Sequence, residues 1–60
     1  MDNKTIRKLF LNYCDSHNSP SMKRLAEGMG LNYHNLLKWR NDKRDYSTES
    51  LNKILTFITK

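Results

Sequence analysis

The stretch Ser21-Met22-Lys23-Arg24-Leu25-Ala26-Glu27-Gly28-Met29-Gly30-Leu31-Asn32-Tyr33-His34-Asn35-Leu36-Leu37-Lys38-Trp39-Arg40-Asn41 decides the fold of this chain. Its apolar residues are spaced for two short helices with a sharp turn between them. Met22, Leu25, Ala26 and Met29 share one face of the earlier helix, and Leu36 and Trp39 share one face of the later. Gly30 adopts a positive φ at no steric cost, as a tight reversal between helices requires. Asn32 is a good N-cap for the later helix. Ala26 stands four residues before Gly30, and a close helix pair needs a small side chain where its members cross.

Outward from this pair the pattern stays helical. The spacing predicts a first helix over about Asn3 to Ser16, with Ile6, Leu9, Phe10, Tyr13 and Cys14 on a core-facing stripe. Leu11 falls off that stripe. His17-Asn18-Ser19-Pro20-Ser21 breaks the helix and restarts the chain: either Ser19 caps with Pro20 at the first helical position, or Ser21 caps. The second helix is expected over about Pro20 to Gly28 and the third over about Tyr33 to Asn41. Asp42-Lys43-Arg44-Asp45-Tyr46 reads as a polar loop. Ser47 then caps a fourth helix with Glu49 in its first turn, where a negative charge suits the helix dipole. Leu51, Ile54, Leu55 and Ile58 form its stripe, and Phe57 lies off it. No segment reads as a strand. The expected fold class is all-α, with four helices.

The chain has 60 residues, which suits one domain spanning 1–60. No apolar run is long enough to cross a bilayer, and Met1-Asp2-Asn3-Lys4 lacks the apolar core of a secretory signal. The expected location is cytoplasmic: the bacterial cytoplasm or nucleoid if the gene is carried by a phage or plasmid. Cys14, the single cysteine, falls on the apolar stripe and reads as a small buried hydrophobe. With His17 and His34 as the only histidines, no metal-ligand spacing exists, so neither a metal nor another cofactor is expected. The formal net charge of +5 suits an anionic partner, nucleic acid first. Most of the excess lies between residues 23 and 44, where Lys23, Arg24, Lys38, Arg40, Lys43 and Arg44 face only Glu27 and Asp42. Lys4, Arg7 and Lys8 lie on the first helix, away from that concentration, and read as solubilising charge.

An ideal helical wheel divides the third helix. With Tyr33 at zero, Leu36 falls at about 300° and Trp39 at about 240°. Those two point into the core. The opposite face holds Tyr33, Leu37, Asn41, His34 and Lys38.

The residues Leu25-Ala26-Glu27, Gly30-Leu31-Asn32, Leu36, Trp39, Asn41, Ser47 and Leu51 through Leu55 resemble the Cro and phage-repressor (Xre-type) helix-turn-helix family. The likeness runs from about Ser19 to Ile58, with the motif at about 21–41. It departs in two places: Asp42 stands where the family usually has glycine, and the sequence ends after a fourth helix where many members have a fifth. The resemblance implies double-stranded DNA as partner, with the third helix in the major groove. Its base-reading positions fall on Tyr33, His34 and Lys38. Lys38 can donate to guanine O6 and N7, His34 can donate or accept, and Leu37 can touch a thymine methyl. Tyr33 either contacts DNA or packs across the turn, and His34 is either a reader or an ordinary surface residue. Backbone contacts are expected from Ser19 or Ser21 and Lys23 at the start of the second helix. Asn35, at the margin of the reading face, and Asn41, Lys43 and Arg44 complete the backbone set. The family's two-fold dimers place recognition helices about 34 Å apart. A homodimer, at least on DNA, is therefore expected, with Leu11, Phe57 and Ile58 as candidate contacts.

Other functions fit less well. No Ser/His/Asp set, no carboxylate pair beside a cleft and no glycine-rich phosphate loop marks an enzyme. RNA binding lacks an aromatic platform. The alternative is a protein-binding inhibitor on the same scaffold, such as an antirepressor. Such a protein needs no basic face on its third helix, so Lys38, Lys43 and Arg44 favour DNA and transcriptional regulation, repression first.

Overall fold

A computed structural model describes residues 2–59; residues 1 and 60, the ends of the expected domain, lie outside the described residues. Four helices follow one another: α1 (Asn3–Ser16), α2 (Met22–Met29), α3 (Tyr33–Arg40) and α4 (Thr48–Ile58). Among the described residues there is no strand, so the all-α expectation holds. α1 has the expected bounds. Asp2 caps it, its Oδ1 accepting a 2.6 Å hydrogen bond from the Thr5 N–H. That bond favours the carboxylate and pulls the Asp2 pKa below its ordinary value.

Three helices end on the same device. Asn18, Gly30 and Asp42 all have φ in the left-handed region, at 59°, 73° and 62°. The next residue's N–H then reaches five positions back: Ser19 to the Cys14 carbonyl at 2.7 Å, Leu31 to Ala26 at 2.9 Å and Lys43 to Lys38 at 2.7 Å. Such a bond satisfies a carbonyl left over at the helix end. Glycine takes this conformation freely, and asparagine and aspartate take it more readily than other side chains. Asp42, at the position where glycine is usual in the family this chain resembles, thus makes the same kind of left-handed turn that Gly30 makes at the end of α2.

The first of these turns moves the start of α2. Ser19 itself has φ 50°, so the chain is still reversing there. Pro20 consequently stays outside the helix, Ser21 occupies the N-cap position, and α2 begins at Met22 rather than Pro20. α3 closes one residue early, at Arg40, with Asn41 as its cap. Asn32 caps α3 as expected, its side chain accepting from the Asn35 N–H at 3.0 Å.

The core comprises Ile6, Phe10, Cys14, Leu25, Ala26, Met29, Leu36, Trp39, Leu51 and Ile54. α1 packs on α4 and α3, and α2 packs on α3 and α4. Trp39 is wholly buried, edge-on to Phe10 at 5.5 Å and stacked on Tyr46 at 5.6 Å between ring centres. Leu9 departs from expectation: it is 42% exposed. The buried side of α1 is centred on Phe10, and Leu9 lies about 100° round the helix from it. α4 covers that side only in part, and Leu9 lines a shallow groove with Tyr13, His17 and Ile58. Phe57 lies across the α1–α4–α2 junction, edge-on to Tyr13 at 6.0 Å. It also lies against Gly28, where an added Cβ would come within 2.7 Å of its ring. The missing side chain of Gly28 is what lets the ring settle there.

Candidate nucleic-acid interface

Residues on α3 are sorted by its packing. Leu36 and Trp39 are fully buried, so burying them fixes the rotation of the helix about its axis. The opposite side then faces solvent, with Tyr33, His34, Lys38 and Asn41 exposed. Leu37 and Asn35 are half-buried at the edges of that face. The Tyr33 and His34 rings sit side by side at 5.3 Å between centres. They form one surface at the start of the helix, whereas Lys38 and Arg40 supply positive charge in its last turn. A helix fixed by two fully buried side chains presents its outward groups with little freedom, as base recognition requires.

The start of α2 carries the next group. Ser19, Ser21 and Lys23 are exposed. No side chain caps α2, nor α4, where Ser47 holds the N-cap position without the expected side-chain bond; in α1 and α3 one first-turn N–H each is taken by Asp2 and Asn32. Asn35 differs from the rest of the expected backbone set: its N–H is already bonded to Asn32, leaving only its half-buried side chain.

The third group is the loop between α3 and α4. Lys43 and Arg44 are exposed there, flanked by Asp42 and Asp45. The Arg44 guanidinium lies over the Tyr46 ring at 5.2 Å. Tyr46 is half-buried and stacked on the Trp39 ring, so it is part of the packed structure rather than of a solvated loop, and this burial raises the pKa of its hydroxyl.

Two α1 residues hold this loop, one read from the sequence as solubilising charge and one given no role there. Arg7, expected to be solubilising charge, is only 12% exposed in its side chain. Its Nε donates to the Trp39 carbonyl at 2.6 Å and its Nη2 to the Arg44 carbonyl at 3.2 Å. It also pairs with Asp42 at 3.1 Å and with Asp45 at 3.3 Å. Asn3, one turn earlier, accepts at 2.8 Å from both Trp39 Nε1 and the Tyr46 N–H, and donates to the Tyr46 carbonyl at 3.1 Å. The sequence signals for this were the i, i+4 spacing of Asn3 and Arg7 on one face and a lone tyrosine inside a polar loop.

The dimer candidates separate. Leu11 is exposed, whereas Phe57 and Ile58 are half-buried. Among the described residues, no group of histidine, cysteine and carboxylates is placed to hold a metal ion, and no helix is long and apolar enough to cross a membrane.

No significantly similar curated protein or solved structure was found. The model of one protein family does match, over residues 11–58, and those residues include the whole α2–turn–α3 unit. The chain thus belongs to the Cro/C1-type helix-turn-helix DNA-binding domain family.

Proposed function

We propose that this chain is a sequence-specific double-stranded DNA-binding protein that regulates transcription as a small repressor of phage or plasmid type. It forms a single domain, works in the bacterial cytoplasm or nucleoid, and needs neither metal nor cofactor. The observation that carries this reading is the α3 face: Tyr33, His34 and Lys38 stand exposed on a helix whose rotation is fixed by buried Leu36 and Trp39. In this reading α3 enters the major groove, with Tyr33, His34, Leu37 and Lys38 against base edges. Ser19, Ser21 and Lys23 at the uncapped start of α2 meet one phosphate strand, where free N–H groups and the helix dipole favour an anion. Asn41, Lys43 and Arg44 meet the other, and Asn35 adds a side-chain contact at the margin.

Two measurements test this. Selection of bound sequences from a random duplex pool should return one motif, and affinity for it should fall steeply as salt rises. A pool that stays random defeats the sequence-specific reading, and affinity indifferent to salt defeats the phosphate contacts.

Two copies act together on a two-fold site, meeting near Leu11 or near Phe57 and Ile58. The apolar surface left around Leu9, Tyr13 and Ile58 supports the second location. Sedimentation of the protein alone and on its selected site should show a dimer at least on DNA; a monomer in both would remove this part of the proposal.

A further inference from the structure

Arg7 sits on α1, outside the helix-turn-helix unit, yet it directs its whole guanidinium at the loop after α3. Nε meets the Trp39 carbonyl near the end of α3, and Nη2 meets the Arg44 carbonyl in the middle of the loop. Nη1 meets Asp42, the left-handed residue on which the chain turns, and Nη2 also meets Asp45. The guanidinium further lies over the Trp39 ring at 5.2 Å. Burial is unequal: Arg7 is 12% exposed, whereas Asp42 and Asp45 are 81% and 75% exposed. The arginine is thus the packed member, and the carboxylates come to it from the solvent side. A planar fork of five donors suits several acceptors at once, which a lysine ammonium at the same place does not reproduce.

We propose that Arg7 is a positioning residue for DNA binding: it contacts no DNA, and it sets the place of Lys43 and Arg44 against the phosphate backbone. Its hold has two consequences. Lys43 and Arg44 lie between Asp42 and Asp45, so the four residues carry no net charge. Arg7 draws both carboxylates toward α1, and its own charge gives the cluster of five groups a net positive charge that the four loop residues lack by themselves. It also ties the Arg44 carbonyl to the end of α3, so the loop keeps a fixed relation to the helix that carries Lys38. A phosphate contact held in register costs less ordering on binding than one made by a free loop.

This inference rests on Lys43 and Arg44 meeting phosphate. The experiment is a double-mutant cycle of Arg7→Gln and Lys43→Ala, read as affinity for generic duplex DNA at several salt concentrations. Circular dichroism fixes a temperature at which every variant is folded. Residues that share one network show coupling, and a coupling of about fivefold is expected here. Lys43→Ala should weaken the parent several-fold and the Arg7→Gln protein much less, with the salt slope changing in the same sense. Two folded single variants whose effects simply multiply would overturn the proposal. Should Arg7→Gln fail to fold, Arg7→Lys replaces it, combined with amide hydrogen exchange. Faster exchange at Asp42 and Lys43 than in the parent supports the hold on the loop, and unchanged exchange overturns it. If Lys43→Ala has no effect in the parent, the phosphate-contact reading fails, and the exchange measurement still decides whether Arg7 holds the loop.

Discussion

The indole nitrogen of Trp39 donates a 2.8 Å hydrogen bond to Oδ1 of Asn3, 36 residues earlier in the chain. The same oxygen accepts from the Tyr46 N–H. One side chain at the first turn of α1 thereby satisfies the buried polar edge of the core tryptophan and anchors the chain leading into α4. Removing one partner of such a bond leaves a donor without an acceptor, which costs more than the bond itself contributes.

Asn3→Ala should therefore lower stability by about 1–3 kcal/mol, although it removes no apolar contact. Trp39→Ala should cost about 3–5 kcal/mol, enough to unfold a domain of this size. Thermal unfolding followed by circular dichroism measures both. Melting of Trp39→Ala at the parent temperature would show that α3 does not pack through this side chain, and an unchanged Asn3→Ala would make the hydrogen bond incidental.

The two glycines at the end of α2 should resist substitution for different reasons, backbone conformation at Gly30 and a neighbouring ring at Gly28. Gly30 has open space around it but φ of 73°, so Gly30→Ala should cost about 1–2 kcal/mol from backbone strain alone. Gly28 is helical, and alanine there is intrinsically favoured by about 1 kcal/mol. Its new Cβ, however, meets the Phe57 ring at 2.7 Å. Gly28→Ala should be neutral or destabilising in the parent and stabilising in a Phe57→Ala background. Chemical denaturation of the four proteins checks this; the same sign in both backgrounds would mean that Phe57 does not rest on Gly28.

Much of this was legible in the sequence, for identifiable reasons. Periodicity places an element, and it located all four helices, with Gly30 and Asn32 marking the turn and the cap. It also put Leu36 and Trp39 inside, and from those two the outward side of α3 is set by rotation alone. What stayed hidden depends on partners distant in the chain. Leu9 has the spacing of a core residue, but burial is decided by how far α4 reaches, which no local pattern records. Arg7 looks like any surface cation until the loop after α3 folds back onto it. Gly28 reads as an ordinary helix-end residue until Phe57, an off-stripe position on α4, is seen lying over it. The position of Pro20 turned on whether Asn18 and Ser19 take left-handed backbone, a choice made by the Cys14 carbonyl that Ser19 reaches.

Burial raises the Cys14 thiol above its ordinary pKa of 9.0, with Arg40 opposing the effect weakly. The folded chain then keeps this proton to higher pH than the unfolded chain does. Its stabilising effect is complete below about pH 9 and is lost as pH rises from there through the folded value. Between about pH 8 and about pH 10 the parent should lose more stability than Cys14→Ala. Tyr46, also raised by burial, acts in both proteins and cancels in the comparison. Denaturant midpoints at several pH values supply the data; parallel curves would mean that Cys14 ionises as freely folded as unfolded.

Base reading and phosphate gripping should separate between two lysines. Lys38 stands exposed on α3 with its backbone locked in the helix, and its carbonyl even receives the Lys43 N–H at 2.7 Å. Lys43 lies beyond the helix end, past the left-handed turn at Asp42, where the chain has already left the helix axis. If α3 enters the major groove as proposed, base edges come within reach of Lys38, whereas Lys43 at the rim would meet phosphate. Lys38→Ala should therefore cost about 1–3 kcal/mol on the selected site and relax preference at one base pair per half-site. Lys43→Ala should weaken all duplexes alike and flatten the salt dependence by roughly one unit, the share of a single neutralised phosphate. Each variant is titrated against the selected site and a scrambled duplex at several salt concentrations. Equal losses for both variants on both duplexes would mean that Lys38 reads no base. No loss for either would make the basic face of α3 and its adjoining loop ordinary solvated charge. A protein partner for this scaffold would then explain the exposed α3 face better than DNA does.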